Sequence, residues 1–161
     1  MATTYVSPQV QAGLVRGNWR GGDFTVYGRL VPGSAALNDI YQLCLMPNGC
    51  MITDIAVDIG STGLDTGTAL TWQFGDATTP GRFITGATVG RSSAGGVVYP
   101  NVGGSYGYQY ALAQGGQFAG GNAGATILQL KITAAATVFV ANTPVVAVIQ
   151  AYLDPQVGGF T

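Results

Sequence analysis

Apolar and polar residues alternate along most of this 161-residue chain, and this period of two limits its fold more than any other feature. Successive side chains of a β-strand point to opposite faces, so the alternation is typical of strands with one face on a core. In the segment "DFTVYGRL", residues 23–30, it predicts that Phe24, Val26 and Leu30 face the core. The residues predicted on the opposite face are Thr25, Tyr27 and Arg29.

The same alternation recurs farther along the chain and predicts about eight strands in all. The inward-facing residues predicted for three of these strands are Met51, Ile55, Val57 and Ile59, then Leu70, Trp72 and Phe74, and then Leu128, Leu130 and Ile132. Further strands are predicted over 39–46, 82–86, 106–112 and 145–153. The last of them carries Val, Ile and Ala on both faces.

Short strands separated by Gly, Pro, Asn and Asp turns, without a helical stripe, predict an all-β fold. The pattern favours a single antiparallel β-sandwich of the jelly-roll kind. A flattened barrel would give a similar pattern. The length of the chain fits one domain.

Residues 1–22 lack the alternation and contain Pro8 among scattered apolar residues. Segments of this kind are disordered leaders or arms that become ordered on a partner. We therefore expect an extended N-terminal arm over 1–22 and a β-sandwich domain over 23–161. Trp19 and Arg20 belong to residue types that are frequent at interface hot spots, and they are predicted to contact the partner.

Charge is sparse, with six Arg or Lys, seven acidic residues that are all Asp, and no His. The net charge of −1 offers no basic stripe that could neutralise phosphates, so nucleic acid is not expected as a partner. The longest apolar runs, such as "VVAVI" at 145–149, are far shorter than the roughly 20 residues of a spanning helix. We therefore expect neither a membrane partner nor a secretion leader.

The tripeptide Asp65-Thr66-Gly67 could be half of the active site of a dimeric aspartic protease. In such a protease the Asp follows a buried apolar strand, so that two carboxylates can share a proton. Here only Leu64 is apolar, and residues 60–63 are small or polar. The sequence therefore predicts a turn between two strands, in which the Asp65 side chain accepts hydrogen bonds from nearby backbone NH groups.

Other catalytic and metal chemistry has little support. Without His there is no Ser-His-Asp or Cys-His arrangement and no imidazole ligand, and the Gly-rich segments lack phosphate-binding patterns. Asp58, Asp65 and Asp76 lie near strand ends, where calcium could bind, but solvent-exposed turn aspartates are the favoured interpretation. We expect no catalytic residue, no metal and no cofactor, and hence a protein that is not an enzyme.

Cys44 and Cys50 flank the Pro-Asn-Gly turn at 47–49 and could form a disulfide. A three-residue turn with Gly49 in the left-handed conformation would instead place Cys44 opposite Ile52. Two buried, reduced thiols are therefore the favoured interpretation.

The segment 86–124 carries aromatic residues between Gly and Ala. Rigid rings on a weakly charged surface suit contact with another protein, although the same rings could pack within the core or the loops. The residues of this segment predicted to contact a partner are Tyr106, Tyr108, Tyr110 and Phe118. Weak repulsion between copies of a chain with so little charge also predicts a homo-oligomer.

The run "YQLCLMPNGCMITDIAVDIGSTGLDTGTALTWQFGDATTPGRFITG", residues 41–86, resembles a segment of tailed-phage capsid decoration (cement) proteins of jelly-roll type. The shared features are a strand, a Pro-x-Gly turn, a second strand ending in Asp, an Asp-Thr-Gly-Thr turn, a strand ending in Gly-Asp, and an aromatic strand. A terminal "VVAVIQAYL" strand at 145–153 adds to the likeness.

This resemblance implies a structural virion protein of a bacteriophage, assembled in the host cytoplasm. It would bind the major capsid protein on the outer capsid surface and stabilise the head, commonly as a homotrimer. The alternative interpretation is a receptor- or carbohydrate-binding module, like a fibre or lectin domain, because a sandwich serves either role. A hydrolase is a more distant third.

Overall fold

The computed structural model describes residues 2–13, 17–20, 23–47, 50–100, 110–111 and 125–153. Within these residues the chain forms eleven strands and one short helix. In chain order the elements are β1 (Thr4–Val6), α1 (Pro8–Gln11), β2 (Gly17–Arg20), β3 (Asp23–Leu30), β4 (Ile40–Pro47), β5 (Cys50–Ile59), β6 (Thr71–Asp76), β7 (Ile84–Ala87), β8 (Gly96–Val98), β9 (Tyr110–Ala111), β10 (Ala125–Ala134) and β11 (Val145–Leu153).

The strands form two sheets, which we name after their central strands. The β10 sheet has the order β1-β4-β10-β6-β7, and the β11 sheet has the order β2-β3-β11-β5-β8, with β9 also pairing with β5. β1 runs parallel to β4, and the other described pairs are antiparallel. The two separate sheets confirm the predicted sandwich.

Eight of these strands, β3 to β8 with β10 and β11, follow the jelly-roll order. Numbered along the chain from one to eight, they read 2-7-4-5 in the β10 sheet and 1-8-3-6 in the β11 sheet. Most connections therefore cross from one sheet to the other, as in a pair of Greek keys. The eight predicted strands correspond to β3–β7 and β9–β11, whereas β1, β2 and β8 have three or four residues each, too few to show an alternation.

The hydrophobic core lies between the two sheets and is built from alternate residues of their strands. The buried residues of β11, each directly between partners in β3 and β5, are Val145, Ala147, Ile149 and Ala151. The largest fully buried side chains are Trp72, Tyr41, Phe74, Leu43 and Met46. The alternation of apolar and polar residues in the sequence thus corresponds to burial of one face of each sheet, as predicted.

The first half of β5 departs from the predicted inward set. Ile52 is buried while Met51, predicted to face the core, is half-buried. The pairing of β5 with β11 shifts between Gln150 and Ala151, because Thr53 is an extra residue without a partner in the register. Such a β-bulge reverses the facing of every residue before it, so the prediction for Met51 was wrong.

Gly28 lets β3 and β4, which belong to different sheets, approach each other closely. A Cβ atom at this position would lie 1.8 Å from the carbonyl oxygen of Leu43 and 3.0 Å from Sγ of Cys44. No side chain fits at that distance, so the close approach requires Gly.

Part of the segment predicted as an arm lies on the sandwich. β1 extends the β10 sheet at its edge, and Thr3 donates its NH to Oδ1 of buried Asp39 at 2.8 Å. The hydroxyl of Ser7 donates to the Leu43 carbonyl at 2.8 Å and caps α1, and Val10 packs in a small buried cluster with Leu45 and Ala125. One three-residue strand and one turn of helix give no periodic signal, and this is why the sequence indicated an extended segment.

Candidate partner-binding surfaces

The predicted contact residues Trp19 and Arg20 lie in β2. Among the described strands, β2 forms one edge of the β11 sheet. Trp19 is aligned with Phe24, and Arg20 with Asp23. An edge strand presents backbone groups that its own sheet does not use, and another chain can pair with them. β2 is therefore placed where a partner could reach it.

Tyr110 lies on the other side of the same sheet, in β9, aligned with Ile52. The register forms one row across the sheet, Trp19–Phe24–Ala151–Ile52–Tyr110. Four strand spacings of roughly 4.8 Å separate Trp19 from Tyr110, or about 19 Å. The fold thus places the two residues at the same height but does not bring them together. The remaining predicted contact residues, Tyr106, Tyr108 and Phe118, lie outside the described residues.

Asp65 is a turn residue, as predicted, in the loop between β5 and β6. Its Oδ1 accepts hydrogen bonds from the NH groups of Gly67 at 2.9 Å and Val138 at 3.1 Å, and its Oδ2 accepts from the NH of Leu70 at 3.1 Å. The residue is fully buried, so the prediction of a solvent-exposed aspartate was wrong here. Turn chemistry predicted the Gly67 bond, but the bond to Val138 depends on the tertiary fold.

The backbone NH groups around Asp65 determine the pKa of its carboxyl group and therefore its charge. Burial alone raises the pKa of a carboxyl group, but the NH groups of Val138, Gly67, Leu70 and Thr137 outweigh it and lower the pKa of Asp65 to about 2. The carboxylate is therefore ionised at neutral pH and serves as an acceptor for backbone groups. This arrangement holds loops together and differs from the shared proton of a protease dyad.

The loops 60–70, 88–95 and 135–144 join around Asp65 at one end of the sandwich, which we call the Asp65 end. The NH groups of Leu64 and Asp65 both donate to the Gly90 carbonyl, and Val140 donates its NH to the Leu64 carbonyl. These bonds fix the three loops to one another.

The other two aspartates considered as calcium ligands differ from each other. Asp76 is buried, accepts from the NH groups of Thr78 and Thr79, and pairs with Nε of Arg82 at 2.5 Å, so it is not the exposed residue we predicted. Asp58 is exposed on β5, as predicted. Within the described ranges no three His, Cys, Asp or Glu side chains lie close enough together to hold a metal ion.

Cys44 and Cys50 are free and buried, as predicted. Cys44 is in the β10 sheet, where its thiol contacts the Ala147 carbonyl at 3.8 Å, and Cys50 is in the β11 sheet. Burial raises the pKa of Cys50 to about 12 and raises that of Cys44 as well. Such thiols are poor nucleophiles and act as small apolar core residues.

The outer face of the β11 sheet carries apolar side chains that the sequence analysis did not select. Tyr27 is 47% exposed and Val148 is 37% exposed, and the two are directly paired between β3 and β11. Val97 of β8, 46% exposed, lies on the same face beside Asp58. A signal was present in the sequence, because apolar residues on both faces of 145–153 are typical of a strand that is covered on both sides.

In the part of the chain that the structure describes, the one helix has four residues, and no helix is long and apolar enough to span a membrane.

A scan against protein-family models and a sequence search of curated proteins gave no match. Solved structures do match. A chain in the structure "Capsid of Ralstonia phage GP4" is 18% identical, with a TM-score of 0.69 over 94% of this chain and 98% of that chain. A chain in "Cyanophage Pam1 capsid asymmetric unit" is 19% identical, with a TM-score of 0.66 over 90% of this chain and 96% of that chain.

A third match is a chain in "Acidic stable capsid structure of Helicobacter pylori bacteriophage KHP30". It is 13% identical, with a TM-score of 0.50 over 86% of this chain and 94% of that chain. Each likeness extends over most of both chains. The β-sandwich of this protein is therefore a fold that also occurs in chains of phage capsid structures.

Proposed function

We propose that this chain is a structural protein of a phage virion that binds the outer surface of the capsid and stabilises the head. The observation that carries the proposal is the likeness over 86% to 94% of the chain to chains in phage capsid structures. The resemblance of residues 41–86 to decoration proteins supports the finer assignment to the outer surface. The chain would bind to the capsid after the capsid has assembled in the host cytoplasm.

The chemistry of the described side chains agrees with a structural role. Asp65 and Asp76 use their carboxylates to hold loops, and both thiols are buried. A binding role needs surface rather than reactive groups, and the exposed apolar side chains supply that surface.

We propose the major capsid protein as the partner, contacted through β2 and β9, the two strands that carry Trp19 and Tyr110 at the same end of the β11 sheet. Trp19 and Tyr110 belong to strands at opposite sides of that sheet, so a partner that contacts both must span about 19 Å. The likeness to chains in phage capsid structures supports a protein partner over the carbohydrate-binding alternative.

The experiment is sedimentation of the purified chain with phage heads assembled without it. Saturable binding to the heads is expected. Trp19→Ala should weaken it roughly thirtyfold, the loss typical of about 2 kcal/mol at an interface anchor. Leu37→Ala is the matched control, because Leu37 is 53% exposed and lies in the loop between β3 and β4 at the opposite end of the sheet.

Absence of binding to heads, together with binding to cell-surface glycans, would overturn the proposal and favour the alternative. Unchanged affinity of Trp19→Ala with intact folding would place the capsid contact elsewhere on the chain.

A further inference from the structure

Nine residues at the centre of the outer face of the β11 sheet form three rows of three, which we call the central face. Each row has one residue from β3, one from β11 and one from β5. In register, the rows are Arg29–Val146–Asp58, Tyr27–Val148–Ala56 and Thr25–Gln150–Asp54.

The middle of this face is apolar. Val146 and Val148 point outward from β11, and Tyr27 and Ala56 flank Val148 on either side. The outward face of an antiparallel sheet in contact with water is ordinarily polar. β11 also buries alternate residues in the core, so it has the composition of a strand that is covered on both faces.

Each of the three rows is complementary to the same row of a second copy that is related to the first by a twofold rotation. A twofold axis parallel to β11, placed above that strand, exchanges the positions of β3 and β5 between two copies that meet face to face. Arg29 of one copy then faces Asp58 of the other, which pairs opposite charges. In the next row the large Tyr27 faces the small Ala56.

The third row fits the same operation, because the hydroxyl of Thr25 then faces the carboxylate of Asp54. The β11 residues Val146, Val148 and Gln150 face their own counterparts. All three rows thus match under one axis, in charge, in size and in hydrogen bonding.

Within one copy the opposite charges of the first row are apart. Arg29 and Asp58 belong to strands separated by β11, so their backbones lie about 10 Å from each other. Two sheets that pack face to face are also about 10 Å apart, with strands aligned within about 30°. Side chains that project from both sheets meet across such a gap, so a second copy brings charges together that one copy holds apart.

We propose that a second copy of this chain covers the central face through twofold packing of two β11 sheets. This contact gives a pair of copies, in contrast to the trimer implied by the resemblance. It lies beyond the proposed capsid binding and does not use Trp19 or Arg20. The central face measures about 14 Å by 17 Å, less than a standard interface, so we expect a pair that forms only at high protein concentration.

The test is sedimentation velocity of the full chain over a concentration series up to about 1 mM. The wild type should shift from one copy to two. The twofold axis creates two contacts between position 29 of one copy and position 58 of the other. Arg29→Asp and Asp58→Arg each place like charges at both contacts, so each should weaken the affinity between the two copies about tenfold or more. Leu37→Asp is the control, because Leu37 is 53% exposed and lies in the loop between β3 and β4, outside the central face.

An equimolar mixture of Arg29→Asp and Asp58→Arg should restore the pair, since every charge then faces its opposite. A wild type that stays monomeric, a mass of three copies, or a mixture that associates no better than the single variants would overturn the proposal. Binding to phage heads is measured in a separate experiment. A chain that stays monomeric but binds heads would refute only the twofold pair. A chain that forms the pair but does not bind heads would refute only the proposed function.

Discussion

The carboxylate of Asp65 accepts a hydrogen bond at 3.1 Å from the backbone NH of Val138, which lies 73 residues farther along the chain. Thr66 returns a bond from its NH to the Val138 carbonyl. The two loops joined in this way connect β5 with β6 and β10 with β11, and each passes from one sheet to the other. Asp65 therefore fastens the two sheets at one end of the sandwich.

Asp65→Asn should lower the free energy of unfolding by about 1–3 kcal/mol. The amide keeps one acceptor oxygen but turns an NH₂ group toward a backbone NH donor, which leaves that donor unsatisfied in a buried position. A residue with only local turn bonds would tolerate the change. Urea denaturation measures the difference, with Asp58→Asn as the exposed control, expected within about 0.5 kcal/mol of the wild type. Equal stability of the two variants would contradict the role of Asp65.

The lowered pKa of Asp65 predicts a loss of stability in acid. Because the folded-state pKa of about 2 lies below the ordinary value of 3.8, the native state binds fewer protons than the unfolded chain between these values. The contribution of Asp65 is fully present above about pH 4 and disappears as the pH falls toward 2. Urea midpoints measured from pH 5 to pH 2 should fall more steeply for the wild type than for Asp65→Asn, and parallel curves would refute this assignment.

Gly28→Ala should destabilise the sandwich by about 1–3 kcal/mol, because its Cβ would overlap the Leu43 carbonyl and force the sheets apart. Gly81→Ala is the control, since the nearest atom to its Cβ is the flexible end of Gln73 at 3.0 Å. Thermal unfolding of both variants measures the effect. Equal melting temperatures would show that β3 and β4 do not approach as closely as described.

Ser7→Ala should cost about 1–2 kcal/mol of stability. The buried hydroxyl of Ser7 donates to the Leu43 carbonyl and accepts from the Val10 NH at 3.3 Å, and thereby docks the first residues on the β10 sheet. Ser61→Ala, at an exposed position, is the control. If Ser7→Ala unfolds at the same urea concentration as the wild type, the N-terminal segment is free of the sandwich.

Local sequence patterns predicted the sandwich because one face of each long strand is buried. They failed where a tertiary feature interrupts the pattern, as at Met51, where Thr53 introduces a bulge. They also missed β1, because three residues are too few to show a period.

The same limit applies to the surfaces. Residue types indicated Trp19 and Tyr110 as contacts, but only the register shows that they lie at opposite sides of one sheet. The pairing of Tyr27 with Val148 depends on strands more than 100 residues apart along the chain. Asp65 was recognised as a turn residue, yet its burial depends on Val138 in a distant loop.

The temperature at which heads release their DNA tests the central claim most directly. Heads assembled without this chain are heated with a DNA-binding dye, before and after the purified chain is added to their outside. We predict that addition raises the release temperature and that the effect saturates with the amount of chain bound. A release temperature that is unchanged at saturating chain would contradict a protein that stabilises the head from its outer surface.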